Sequence, residues 1–462
     1  MTPVDVLHDD VLLVIFDFYV GISLGEDAWQ SLVHVCRRWR CLVFESPRRL
    51  NLRLVCTPRT PVRQSLDIWP ALPLIVRSFL SSTVGDNTVA ALEHSDRVCE
   101  IYLYFREETE RLEWDKVLAA MQVPFPALTN LLFQCEDEEA PVIPDTFLGG
   151  SAPLLRSFDS YAIPLPGIPM AKLLRSTNHL VDLRLSGIPD SGYISPEVMA
   201  TCLSVLTSLE TLTLKFLPTF SSKFLFSQAR RKNRRLPPMT RFILPDLTRF
   251  SFRGDTEYVE HLIAQLDAPQ LQDLGISFFD EMNLVTPHLV QFISRTSKFQ
   301  EPNEAHVGYE YFDTSTVVRL GSRGRLVVIS CEQSYEELSS IAKICTKCLP
   351  PLLTVEDLRL GSFPTTYPYS PLDWDDAVYQ WLEFLRPFTA VKSLYLSTEF
   401  QRNMASALRE LVGNRTMEVL PSLQNIFLAR SELYGRSFQD ATGGFVAARR
   451  LSGHPIAVFP LL

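Results

Sequence analysis

LVDLRL at residues 180–185 and LETLTL at 209–214 share one pattern: apolar, two residues, apolar, one residue, apolar. Successive side chains of an extended chain point to opposite faces, so the apolar positions enter a core and the intervening ones face out. The same pattern stands in VCEIYL from 98, LTNLLF from 128, LTRFSF from 247 and LQDLGI from 271. It continues in LVVISC from 326, VEDLRL from 355, VKSLYL from 391 and LQNIFL from 423, and a weaker copy, LLRSFDS, begins at 154. Successive starts lie mostly 24 to 38 residues apart, and one interval of 55, between 271 and 326, has room for a copy near 305–311.

Helix-like stretches fill the intervals, among them LEWDKVLAAMQ from 112, SPEVMATCLSVL from 195, TEYVEHLIAQL from 256, YEELSSIAKIC from 335 and DDAVYQWLEFL from 375. Proline often stands just ahead of the strand, as in FPALTNL, LPDLTRF, APQLQDL and LPSLQNI. One strand plus one helix per copy is the layout of a leucine-rich repeat array, an α/β repeat solenoid. The copies vary in length and lack the asparagine that follows the strand in regular repeats, which predicts an irregular array. A doubly wound enzyme also alternates strands and helices. It usually carries a glycine-rich turn or polar groups clustered at strand ends, and neither is present.

The totals agree with a folded chain longer than one ordinary core: 462 residues, 46% hydrophobic and 21% charged. A net charge of −9, from 44 basic against 53 acidic residues, argues against a nucleic-acid partner. The first apolar run, VLLVIF at 11–16, is too short for a membrane span and follows acids instead of basic residues. The expectation is therefore an intracellular protein, cytoplasmic or nuclear, with reduced thiols and no membrane partner.

Chemistry-bearing constellations are sparse. Cys345 and Cys348 have metal or redox spacing, but a structural zinc needs a second pair and only Cys331 is near. They read as buried cysteines at the end of a repeat helix. No phosphate loop or nucleophile elbow is found, and no two histidines share a helical face. His34, His179 and His261 read as structural. No catalytic residue, metal site or cofactor is expected. Two charge runs, Arg230, Arg231, Lys232, Arg234 and Arg235 and then Glu136 to Glu139, read as solvated loops, the first open to an acidic target.

The N-terminal fifty residues differ in kind. Leu12, Ile15, Phe16 and Tyr19 are spaced as one helical stripe behind Asp9 and Asp10, which suit a helix N-terminus. A second stripe runs through Trp29, Leu32, Val33 and Cys36, and Trp39, Leu42 and Val43 continue it until Ser46-Pro47 ends the helix. Such a unit buries too little surface to be stable alone, so it docks on the chain or is completed by a partner.

The run LHDDVLLVIFDFY at 7–19, followed by LVHVCRRWRCLVFESP at 32–47, resembles an F-box, and with the following residues resembles a large set of fungal F-box proteins. In that family the helices attach a receptor to the Skp-type adaptor of a cullin–RING ubiquitin ligase. Leu7, Leu12, Ile15, Phe16, Val35, Cys36, Trp39 and Val43 stand at positions which in the family supply adaptor-facing and internal apolar contacts. His8 departs from the pattern, which usually has proline there.

The resemblance implies an F-box at 1–47, a connector at 48–97 and a degenerate leucine-rich repeat domain at 98–462. It implies a non-catalytic substrate receptor whose partners are a Skp-type adaptor, through it a cullin, and an unknown protein substrate. Outward positions Asp182, Arg184, Glu210, Thr211, Thr213, Glu356, Asp357 and Arg359 are the candidates to face that substrate. The alternative is a repeat scaffold with no ubiquitin link, its N-terminal helices a cap on the array. A cap would bury its stripe on the array, whereas an F-box would leave apolar surface exposed.

Overall fold

The computed structural model describes residues 7–22, 28–79, 85–105, 111–135, 143–165, 167–218, 241–279, 286–310, 315–322, 325–331, 342, 344–349, 352–361, 378–411, 415–429 and 435–461. The fold is mixed α/β, built on a large, mostly parallel sheet, and is compatible with an α/β repeat arrangement. The chain divides into two compact units, one of Met1–Ile194 with Thr201–Leu209 and one of Ser195–Ala200 with Glu210–Leu462.

The first unit opens with α1 (Asp9–Ile22), α2 (Ala28–Val33) and α3 (Arg37–Glu45). Six strands follow: β1 (Leu54–Cys56), β2 (Leu74–Phe79), β3 (Val98–Phe105), β4 (Asn130–Cys135), β5 (Ser157–Tyr161) and β6 (Asp182–Ile188). Each pairs in parallel with the next. Helices α4 (Val62–Ile68), α5 (Gly85–Leu92), α6 (Arg111–Ala120) and α7 (Gly167–Ser176) alternate with them, and α8 (Pro196–Leu203) is shared between the units. Residues 48–97, read as a connector, contribute β1 and β2 to this parallel run.

In the second unit the order along the sheet is β7 (Thr211–Phe216), β9 (Arg249–Gly254), β11 (Asp273–Phe278), β14 (Arg325–Cys331), β13 (Ser315–Ser322), β12 (Glu304–Glu310), β15 (Asp357–Leu360), β16 (Ser393–Leu396), β17 (Asn425–Leu428) and β18 (Ala457–Pro460). β8 (Phe242–Ile243) and β10 (Leu266–Asp267) form a separate parallel pair. The helices are α9 (Thr256–Ile263), α10 (Pro287–Arg295), α11 (Val378–Leu385), α12 (Thr398–Arg409) and α13 (Gly435–Leu451). The long interval after 271 does hold a strand near 305, but the chain goes β12, β13, β14 and doubles back. β13 is antiparallel to both neighbours, so the run of parallel pairs is interrupted there.

Every copy of the six-residue pattern forms a strand of this sheet, and the reason is visible in hydrogen bonds. In five copies a turn closes just before the strand: Leu128, Leu155, Leu247, Leu271 and Leu423 donate their amides to Phe125, Ala152, Leu244, Ala268 and Leu420 carbonyls three residues back. Pro126, Pro153, Pro245, Pro269 and Pro421 stand at the second turn position, where a fixed φ near −65° is favoured. The carbonyl of the second pattern position then accepts two amides from the next copy. Arg156 accepts from Val181 and Asp182, Glu210 from Thr248 and Arg249, Glu356 from Lys392 and Ser393, and Lys392 from Gln424 and Asn425. Except in β3 and β14, which begin earlier, the third position starts the strand and burial mostly alternates from there. In β4, Leu131, Phe133 and Cys135 are buried while Asn130, Leu132 and Gln134 are half-exposed.

Two buried charges tie neighbouring elements together. The Glu260 carboxylate on α9 accepts the amides of His288 (2.9 Å) and Leu289 (2.8 Å), so it caps the next helix, α10, which begins with Pro287. An anion there meets free amides and the positive helix end. Glu260→Ala is expected to cost about 1–2 kcal/mol, read as faster hydrogen exchange at the first turn of α10. Unchanged exchange there would show that the cap contributes nothing. The second charge, Arg449, is on α13. Its guanidinium donates to the carbonyls of Leu420 (2.8 Å) and Pro421 (3.2 Å), in the turn that launches β17.

Candidate functional site

The N-terminal helices pack on one another and leave one face open. Leu12, Leu13 and Phe16 of α1 are buried with Trp29, Leu32 and Val33 of α2 and with Leu42 and Val43 of α3. Phe16 meets the half-buried Trp39 ring at 4.7 Å between centroids. The unit docks on the following chain through aromatics: Trp29 packs edge-on against Trp69 at 5.3 Å, Phe44 lies 6.0 Å from Trp69, and the Trp29 indole donates to the Arg53 carbonyl at 2.9 Å.

The expected stripe Leu12, Ile15, Phe16, Tyr19 is split by the fold. Leu12 and Phe16 face inward, whereas Ile15 and Tyr19 face solvent. The exposed side of α1 is a second stripe, Val11, Val14, Ile15 and Phe18, spaced i, i+3, i+4, i+7 and therefore contiguous. Phe18 is 69% exposed and Val14 58% exposed, and Val35, just before α3, is 58% exposed. Sequence reasoning missed Val11, Val14 and Phe18 because α1 is apolar around most of its circumference. Periodicity then does not say which side is inside.

The other motif residues have individual roles. Cys36 is exposed and is not part of the buried face. It is the N-cap of α3, its Sγ accepting the Trp39 amide at 3.5 Å. Arg38 donates to the Asp9 carboxylate and, at 2.5 Å, to the carbonyl of the half-buried Leu7, tying α3 to the start of α1. Arg40 donates to the Val33 carbonyl at the end of α2 at 3.0 Å. Two of the three motif arginines therefore hold the helices together. His8 takes the place of the missing proline without loss of the helix start: its carbonyl accepts the amides of Val11 and Leu12 at 3.0 and 3.1 Å.

The outward candidates fall in both units. In the first, Arg184 lies 3.4 Å from Asp182 across the outer face of β6. Opposite Arg184 on β5, burial raises the Asp159 carboxyl above its ordinary value, partly offset by Arg184. In the second unit, Thr213 is half-exposed, while Glu210 sits exposed at the strand entrance. Thr211, expected outward, is buried beneath the Arg249 guanidinium, which donates to its hydroxyl at 3.0 Å. Glu356 also sits at a strand entrance, bound by Lys392 at 2.6 Å. Asp357 and Arg359 face outward on β15, and Arg359 binds Glu304 of β12 at 2.5 Å.

Cys345 and Cys348 are buried on one turn, Ile344–Cys348, where burial pushes both thiols up, Cys348 to about 11. Such thiols stay protonated and unreactive at neutral pH. Among the described residues no group of three or more His, Cys, Asp or Glu is placed to hold a metal ion. His34, His179 and His261 are exposed. No described helix is long and apolar enough to cross a membrane. The basic run at 230–235 and the acidic run at 136–139 lie outside the described residues. No family model matches the chain, and no curated protein is similar to it.

Proposed function

We propose that the chain is the substrate-receptor subunit of an SCF-type cullin–RING ubiquitin ligase, with an F-box in α1–α3 and a degenerate leucine-rich repeat domain behind it. The observation that carries this reading is the apolar stripe Val11, Val14, Ile15 and Phe18, exposed on a helix whose opposite side is packed. A contiguous apolar helix face in water is what a partner groove covers. It coincides with the segment whose sequence resembles the adaptor-binding motif. In this reading the chain catalyses nothing itself. It works inside the cell by holding a target near the charged ubiquitin-conjugating enzyme, raising effective concentration.

The test is capture of a matched Skp-type adaptor by the purified chain. Wild type is expected to retain it, and Phe18→Asp to retain less than about a tenth, because a carboxylate enters a desolvated contact. Phe18 is exposed, so the variant keeps its fold, checked by circular dichroism. Failure of wild type to bind, or equal capture by the variant, overturns the reading. The second reading is a repeat scaffold with no ligase link. It is favoured by the docking of Trp29 and Phe44 on Trp69, which is how a cap would sit.

A further inference from the structure

On the outer face of the second unit β9 presents Arg249, Ser251 and Arg253, whereas β16, β17 and β18 each present an aromatic ring. Residues Arg359, Tyr395, Phe427 and Phe459 occupy one register row across β15, β16, β17 and β18. The Tyr395 and Phe427 rings stack at 4.6 Å and 10°, and Phe427 and Phe459 at 5.4 Å and 23°. The Arg359 guanidinium carbon lies 4.3 Å from the Tyr395 centroid, so the cation closes the aromatic ladder at one end. Phe459, at the other end, is 43% exposed.

Arg359 is held and still available. Its Nε is bound by Glu304 and its face by Tyr395, yet its side chain is 42% exposed, and its two Nη atoms have no partner among the described residues. A guanidinium fixed on two sides with its fork open is pre-organised for a bidentate oxyanion. His306 stands next to it in the same row, and burial, aided by the neighbouring Arg319 and Arg359, holds that imidazole below its usual value. It is thus neutral near pH 7. Glu304 already holds one side of the guanidinium, at Nε. The Glu304 charge repels a dianionic phosphate more than a monoanionic carboxylate, so the carboxylate is the better fit.

We infer that this row docks an extended acidic peptide of the form Glu-x-aromatic-x-aromatic, lying across the strands with its carboxylate in the Arg359 fork. The lengths agree. Three strand spacings of about 4.8 Å take Arg359 to Phe459 in about 14 Å, and residues four apart in an extended chain are separated by about 13–14 Å. The inference deepens the receptor reading by naming the class of target segment, and rests on it only in calling that segment a ubiquitination target.

The probe is a dye-labelled Gly-Glu-Ser-Phe-Ser-Phe-Gly peptide, beside versions with Gln or phosphoserine in place of Glu, titrated into the full chain by fluorescence anisotropy. The Glu peptide is expected to bind at least tenfold tighter than the other two. Arg359→Gln, a surface change, is expected to erase that preference, and Phe427→Ala to weaken the Glu and Gln peptides alike. Overturning results are no saturable binding, equal binding of Glu and Gln peptides, tighter binding of phosphoserine, or no effect of Arg359→Gln. Adaptor capture is measured on the same proteins. Peptide binding without capture removes the receptor reading and leaves the docking row. Capture without peptide binding removes the docking row alone.

Discussion

Trp29→Ala is expected to lower the stability of the N-terminal helical unit by about 3–5 kcal/mol, the usual cost of emptying a large aromatic site. Trp29 is 1% exposed, and its indole satisfies the Arg53 carbonyl while its ring fills the space between Phe44 and Trp69. Removing it opens a cavity and leaves that carbonyl without its donor, two separate costs. The expected result is local: limited proteolysis cuts within residues 7–45, while the sheet keeps its hydrogen-exchange protection. Trp29→Phe keeps most of the volume and loses the hydrogen bond, so it should cost about 1–2 kcal/mol. If Trp29→Ala leaves proteolysis unchanged, the helices are not held by this contact.

Arg449→Met is the second large effect, at about 3 kcal/mol or more, because it strips a buried, multiply bonded cation from its acceptors. The guanidinium is wholly buried, and no carboxylate among the described residues binds it. Carbonyls of Thr416, Leu420, Pro421 and Leu423 and the Met417 sulfur take its donors, with Phe445 against its face. Burial lowers its pKa from the usual guanidinium value, yet that value starts so high that the group remains charged. Methionine fills similar volume but leaves these carbonyls dry and unpaired. The measurement is hydrogen exchange over residues 435–461 and 423–428, where protection is expected to collapse. Full protection in Arg449→Met would mean that water replaces the guanidinium without loss.

These sites also show what the sequence discloses and what it conceals. The strands were legible because period-two alternation and the proline turn are local signals: Leu247, Phe250 and Phe252 are buried and Pro245 sits at the turn. The weak copy at 154 is in register once counted from Leu155, whose amide closes the turn on Ala152. The β12–β13 insertion was not legible, since an antiparallel return is set by pairing with β14 and β15 and not by its own residues. In the N-terminal unit, composition marked α1 as apolar, but which side meets α2 and α3 depends on tertiary contacts. Cys36 was read as part of the apolar stripe, and Arg38 carried no local signal of its contact with Asp9. Their roles as cap and clamp follow from where α3 begins relative to Asp9. Arg359 was singled out as an outward residue, but its aromatic neighbours come from strands 36 and more residues away, which only register brings together.

The most direct test of the account is hydrogen exchange of the whole chain with and without a matched Skp-type adaptor. Added adaptor is expected to protect peptides covering Val11 to Tyr19 and Val35 to Trp39, leaving the strands at their free-state rates. No protection in those segments at saturating adaptor, or protection confined to the sheet face, would contradict the assignment of α1–α3 as the adaptor-binding element.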